Sequence, residues 1–373
     1  MPHNISVLII FVLLLSSALA TSEKQEVCSS DQLKVCSGGV QCIQLTIGEE
    51  LVVDCHLTEP ENPNTNATLP VLMLHGFPEW SGMYLSLMKT LASNGFTSLA
   101  CNQRGYSPTA APEGVLSYNH SLLVNDVFAM ADAAKFDNFH LVAHDIGAIV
   151  GWQVVASDRG HKRVKSFSAL SIPHVDAFSA GLYGETADVA QQMASQYFSM
   201  FVLPNSASIR GNFWYRALGR TSGRGNEYVT GVSSFSAKDF QKALYWYNGA
   251  KNDGILAFPP NFSWIYLAKA GMYSLAFLRI IFGGEPNKGI PASNPIGNVY
   301  IPSLFVCGSQ DPSILCNRDY ALKTKDYCKG GYQYVEVDCA HELLACSVEL
   351  ETEKVVNAIV GHIMAYGPKK ISE

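Results

Sequence analysis

Apolar and polar positions change their spacing several times along the chain, and the changes mark out elements. Short, nearly unbroken apolar runs recur at residues 51–57 (LVVDCHL), 70–76 (PVLMLHG), 97–105 (TSLACNQRG), 139–145 (FHLVAHD) and 164–173 (VKSFSALSIP). Between them, stretches such as 86–95 (SLMKTLASNG) and 122–135 (LLVNDVFAMADAAK) repeat apolar residues at helical spacing. Continuous apolar strands alternating with helices predict a mostly parallel sheet with helices on both faces, an α/β fold. The alternation breaks from about 176 to 289, where the chain is aromatic-rich and helical in pattern. Strand-like runs return at 298–308 (NVYIPSLFVCG) and 332–338 (YQYVEVD). The pattern is that of an α/β core interrupted by a helical cap.

The first residues carry a different signal. An apolar run (VLIIFVLLLSSALA) closed by small residues and followed by TSEKQE reads as a signal peptide covering 1–20, cleaved after Ala20. A retained membrane anchor is the alternative. The expected organisation is therefore a leader at 1–20, a cysteine-containing extension at 21–50, core at 51–175, cap at 176–289 and core again at 290–373. Asn-x-Ser/Thr acceptors at Asn66, Asn119 and Asn261 fit a secreted glycoprotein.

Composition changes the picture in two places. A net charge of −6 with no basic block argues against a nucleic-acid partner. The ten cysteines, none in a Cys-x-x-Cys arrangement, suit an oxidising compartment. Cys28, Cys36, Cys42 and Cys55 cluster early, and Cys316, Cys328, Cys339 and Cys346 late, so local disulfides are expected within each cluster. Cys339 and Cys346 bracket His341 and are expected to pair, with Cys316 and Cys328 as the alternative partners. Cys101 and Cys307, at the ends of apolar strands, are expected to be buried free thiols.

Candidate chemistry starts from LVAHDIGAIVGW. A nucleophile on a sharp strand-to-helix turn needs small residues two positions away on each side, and Asp145 has Ala143 and Gly147. Nowhere does the chain contain Gly-x-Ser-x-Gly. His75-Gly76-Phe77-Pro78 follows an earlier strand, where a loop N–H can face the reacting centre. Asp311 ends a late strand and His341 follows the next, so nucleophile, acid and histidine come in the order Asp145, Asp311, His341.

HGFPEW, NQRGYSP, AHDIG, CGSQDP and CAHELL, in that order, resemble the α/β-hydrolase superfamily, in the branch of epoxide hydrolases and haloalkane dehalogenases that attack with aspartate. The likeness runs from about 51 to 361. It implies the α/β-hydrolase fold with an inserted helical cap, and no metal or organic cofactor. It also implies Asp145, Asp311 and His341 as the catalytic residues, with the backbone N–H groups of Phe77 and Ile146 as oxyanion hole. Epoxide hydrolases use two cap tyrosines to hold and protonate the epoxide oxygen; YFSMFVLP and LYWYNGA resemble their motifs and nominate Tyr197 and Tyr247, with Tyr183, Tyr215 and Tyr245 as competitors. Dehalogenases need side-chain N–H donors for halide after the nucleophile and after the His-Gly pair. Ile146 and Phe77 stand there and donate nothing.

The expectation is thus a secreted hydrolase that opens a small apolar epoxide through an ester on Asp145. A non-catalytic ligand-binding protein on the same fold is the alternative, as is hydrolysis of an ester, a lactone or, less favoured, a haloalkane. His144 is expected to shape the elbow without acting as base. The apolar stretch at 263–282 is read as a buried cap helix, since Lys269 and Arg279 interrupt it, so membrane association is not favoured. Oligomeric state, disulfide connectivity and the physiological substrate stay open.

Overall fold

The computed structural model describes residues 34–36, 39–48, 50–61, 68–202, 237–259 and 289–367. Among these, nine strands form one sheet: β1 (Lys34–Cys36), β2 (Val40–Ile47), β3 (Leu51–Thr58), β4 (Val71–Leu74), β5 (Ser98–Cys101), β6 (Phe139–His144), β7 (Val164–Leu170), β8 (Ser303–Gly308) and β9 (Tyr332–Val337). Their spatial order is β1-β2-β3-β5-β4-β6-β7-β8-β9. Pairings from β1 to β5 are antiparallel, and all those from β5 through β4 to β9 are parallel. Two strands therefore precede the one at 51–57 with which the apolar pattern begins.

Helices α1 (Leu85–Ser93), α2 (His120–Ala133), α3 (Ile146–Ala156) and α4 (Asp158–Arg163) lie between the strands up to β7. Helices α5 (Val175–Leu182), α6 (Val189–Ala194), α7 (Tyr197–Phe201) and α8 (Ala237–Asn252) come between β7 and β8. Then α9 (Asp319–Leu322) and α10 (Thr324–Tyr327) precede β9, and α11 (Glu349–Ala365) follows it. The period of two along β4 shows how the sheet is covered. Val71 and Met73 pack with Leu87, Met88 and Leu91 of α1 and with Val355 and Ile359 of α11. Leu72 and Leu74 belong to the opposite core, with Val127 of α2 and Val150 and Trp152 of α3. Both faces of the sheet are dry, which is why its central strands read as continuous apolar runs.

Strand β4 lies between β5 and β6, so the connection from β4 to β5 and that from β5 to β6 run in opposite directions along the sheet. Such a switch point opens a crevice at the strand ends. The segments between β7 and β8 are tied to the rim of that crevice. In α8, Trp246 Nε1 donates to the Arg104 carbonyl at 2.8 Å and Lys242 Nζ to that of Ala111 at 2.7 Å. From α6, the fully buried Gln191 donates to the Ser313 carbonyl at 2.8 Å and accepts from the Leu315 N–H at 2.8 Å, which fixes the loop after β8. The stretch at 263–282 and Tyr215 lie outside the described residues. Among the described residues, no helix is long and apolar enough to cross a membrane.

The cysteines differ from expectation. Cys101 is bonded to Cys55 and Cys307 to Cys316, so neither is a free thiol, and Cys55 pairs outside its early cluster. Cys55 and Cys101 are direct partners in the antiparallel register of β3 and β5, an adjacency that 46 residues of separation conceal. Cys339 and Cys346 are paired, while Cys328 is a buried free thiol. Cys42 is also disulfide-bonded. Closing a 46-residue loop restricts the unfolded chain strongly. The Cys55→Ala/Cys101→Ala double variant is therefore expected to lose about 3–4 kcal/mol of stability, read from the shift in urea midpoint; an unchanged midpoint would show the bond to be dispensable.

Candidate active site

Asp145 occupies the turn between β6 and α3 with φ 50° and ψ −127°, a left-handed backbone held against a cost of about 1–3 kcal/mol. Its carbonyl accepts from Ala148 N at 2.8 Å and Ile149 N at 3.2 Å, and its own N–H donates to the Leu170 carbonyl at 3.2 Å. Gly147 is required by space, since a Cβ there would strike the backbone carbonyls of Leu74 and His75. Gly76 is required too: a Cβ there would meet the Asp145 side chain. The elbow and the loop after β4 thus fit only as a pair of glycine-lined turns.

That closeness brings the Phe77 N–H within 2.9 Å of Asp145 Oδ1, to which it donates. Ile146 is the first residue of α3, at the helix end where N–H groups lack intrahelical acceptors. On its other oxygen, Asp145 lies 3.3 Å from His341 Nε2. His341 Nδ1 is 2.6 Å from Asp311 Oδ2. Asp311 is held in turn by the N–H groups of Ser313 and Ile314, which donate to its Oδ1 at 2.8 and 3.0 Å. The three side chains form a continuous chain, with each carboxylate on one imidazole nitrogen. The loops carrying Asp311 and His341 are each closed by a disulfide, Cys307–Cys316 and Cys339–Cys346.

Charge follows from this geometry. Burial alone would lower the His341 imidazole, but the carboxylates of Asp311 and Asp145 hold it well above its usual range. Burial works to raise the Asp145 carboxyl; its contacts with His341 and the Phe77 N–H outweigh that and keep it below the usual carboxylate range. Asp145 is therefore ionised and His341 protonated.

Tyr197 opens α7 and Tyr247 lies in α8, their rings 6.4 Å apart edge-on. Phe77 packs edge-on against Tyr247 at 5.8 Å, and Phe201 sits 5.1 Å from Tyr247 and 5.2 Å from Tyr197. Burial first, and then the Asp145 charge, push both hydroxyls well above the usual phenol range, so both remain proton donors. The competitors separate from this group: Tyr183 is exposed, and Tyr245 packs on Tyr118 at 5.3 Å.

Three residues that the spacing of motifs did not single out also adjoin the centre. The Tyr106 ring stands edge-on to His75 at 4.5 Å, and the Asp145 charge reaches its hydroxyl. Glu79 and Glu342 meet His144, and the N or O atoms of these three side chains lie within 4.8 Å of one another, the kind of group that can hold a cation. Glu79 and Glu342 stand inside HGFPEW and CAHELL, but nothing in the one-dimensional spacing joins them.

Known proteins share this arrangement of segments. Residues 70–345 match the family described as alpha/beta hydrolase fold. The chain belongs to the alpha/beta hydrolase fold family. Within this α/β-hydrolase family it is epoxide hydrolase-like: it is 33% identical over 293 residues to Epoxide hydrolase A of Mycobacterium tuberculosis, a match covering 72% of this chain and 83% of that protein. AB hydrolase superfamily protein YfhM of Bacillus subtilis is 29% identical over 146 residues, 38% of this chain and 49% of that protein. The chain spans about half or less of the length of several curated relatives it matches. The crystal structure of epoxide hydrolase VrEH1 from Vigna radiata superimposes with a TM-score of 0.61 at 20% identity, covering 89% of this chain and all of that one, a likeness of fold.

Proposed function

We propose that this α/β-hydrolase is a secreted epoxide hydrolase that opens a small apolar epoxide to a diol through a covalent ester on Asp145. The observation that carries this reading is the Asp145 carboxyl, bonded to His341 and the Phe77 N–H, with Tyr197 and Tyr247 clustered beside Phe77. Asp145 attacks an epoxide carbon while the hydroxyls of Tyr197 and Tyr247 stabilise the alkoxide and protonate it. The ester removes the Asp145 charge, one of the two that hold His341 protonated, so the imidazolium loses its proton through solvent, replacing the one that the tyrosines gave to the alkoxide. The neutral imidazole, oriented by Asp311, then takes a proton from water, which attacks the Asp145 carboxyl carbon. The oxyanion of that step lies against the N–H groups of Phe77 and Ile146. The names of relatives such as Epoxide hydrolase A support the reaction class, and the apolar run at 7–20 supports secretion.

Incubation with styrene-type and fatty-acid epoxides tests the reading, with diol as the measured product; a ligand retained and released unchanged would favour a binding protein. Tyr247→Phe is expected to slow alkylation by roughly a hundredfold with little change in substrate affinity, because its hydroxyl is needed mainly as charge develops on oxygen. Stopped-flow measurement of the two parameters checks this, and unchanged alkylation removes Tyr247 from the site.

A further inference from the structure

Gln191 lies in α6, in the segment between β7 and β8, and its side chain is fully buried. An amide has two N–H donors and a carbonyl that can accept twice, and all four capacities are used. Nε2 donates to the Ser313 carbonyl at 2.8 Å and to Ser195 Oγ at 2.7 Å. Oε1 accepts from the Leu315 N–H at 2.8 Å and from the Tyr320 hydroxyl at 2.5 Å. The Ser313 carbonyl only accepts and the Leu315 N–H only donates, so the amide faces them in one sense alone.

These bonds run in two directions. Towards the core, Gln191 holds residues 313–315 on one side while Asp311 holds them on the other. The N–H groups of Ser313 and Ile314 donate to Asp311 Oδ1 at 2.8 and 3.0 Å, and Asp311 Oδ2 stands 2.6 Å from His341 Nδ1. Contacts are thus continuous from the amide to the imidazole. In the other direction, Gln191 holds the buried Ser195, whose carbonyl accepts the Phe198 N–H at 3.1 Å at the start of α7, where Tyr197 is the first residue. The two ends come together again at the site, since the Asp311 charge reaches the Tyr197 hydroxyl. Asp188 also joins α6 to this part of the chain, through Arg318 at 2.6 and 3.0 Å, but the arginine side chain is 42% exposed and the pair is weakened by solvent. Gln191 makes its bonds in a dry setting, where leaving one unmade is costly.

We propose that Gln191 is a positioning residue shared by both halves of the reaction: one arm sets the Asp311 loop and through it the His341 imidazole, and the other sets the start of α7 and with it the Tyr197 hydroxyl. The inference rests on the proposed covalent route, in which Tyr197 serves alkylation and His341 serves ester hydrolysis. A displacement of α6 against the loop after β8 therefore disturbs the two steps together, whereas loss of the Ser195 bond disturbs only the first.

The variants Gln191→Met and Ser195→Ala separate the arms. Methionine has a similar length and makes none of the four bonds, and alanine at position 195 removes the α7 arm alone. In single turnover with a styrene-type epoxide, Ser195→Ala is expected to slow alkylation by roughly fivefold and to leave ester hydrolysis at the wild-type rate. Gln191→Met should slow alkylation to the same degree and ester hydrolysis by roughly tenfold as well. The proton between His341 Nδ1 and Asp311 gives a downfield NMR signal that needs no substrate; it should shift in Gln191→Met and stay in place in Ser195→Ala. Wild-type hydrolysis and an unmoved signal in Gln191→Met, or a Ser195→Ala variant that slows both steps alike or neither, would overturn the proposal. Should Gln191→Met fail to fold, the two rates of Ser195→Ala still decide. If no epoxide is opened at all, the proposed function fails on its own, and the His341 signal in the two variants decides on Gln191.

Discussion

Asp145→Asn is expected to abolish epoxide turnover, by on the order of 10⁴-fold or more, while leaving the fold intact. The amide keeps an oxygen that can accept the Phe77 N–H, now bonded at 2.9 Å, but it has neither the charge nor the nucleophilicity to attack carbon. Rate loss alone does not separate a nucleophile from a general base, so the path of oxygen matters. With enzyme in excess over epoxide in water enriched in heavy oxygen, the first diol should be unlabelled, because its new oxygen comes from the carboxylate. Solvent label enters Asp145 when water opens the ester and is found by mass spectrometry of the peptide containing AHDIG. A labelled first diol would falsify covalent attack and recast Asp145 as a base.

His341→Gln is expected to stop the cycle halfway. Alkylation needs only an ionised Asp145 and the tyrosine donors, and so should persist. Ester hydrolysis loses its base and should slow by roughly 10²–10⁴-fold, so the adduct accumulates on the same peptide. The wild-type pH dependence has the matching sign. The Asp145 carboxyl is depressed, so alkylation persists on the acid side until pH falls through that lowered value. Hydrolysis of the ester needs neutral imidazole, so it fails first as pH falls through the pKa that His341 has in the ester. Adduct should therefore build up in wild type at mildly acidic pH. Neither variant nor acid accumulating an adduct would remove the ester from the mechanism.

Much of this centre is legible in the sequence, for a physical reason. Asp145 and Asp311 each follow a buried strand and His341 the half-buried edge strand β9, and a parallel sheet gathers the carboxyl ends of its strands at one edge. Ala143 and Gly147 mark the elbow because a sharp turn against another backbone admits only small side chains, and the Gly147 contacts with the β4 carbonyls bear this out. What eludes the sequence depends on contacts across elements. Cys101 and Cys307 look like ordinary strand-end thiols until β3 lies antiparallel beside β5 and the loop after β8 turns back on itself. Glu342 stands in CAHELL with nothing in the spacing to join it to Glu79 and His144, whose ligand atoms the fold brings within 4.8 Å of its own. Gln191, which fixes the Asp311 loop, carries no motif at all.

The order in which the centre is assembled along the chain also governs when chemistry becomes possible during synthesis. The elbow pair and the His341 loop that His144 holds lie 197 residues apart. At about 5–20 residues per second, Asp145 is synthesised roughly ten to forty seconds before His341. Under the proposed mechanism, a product truncated before His341 keeps its aspartate and its tyrosines but lacks the base that releases the ester.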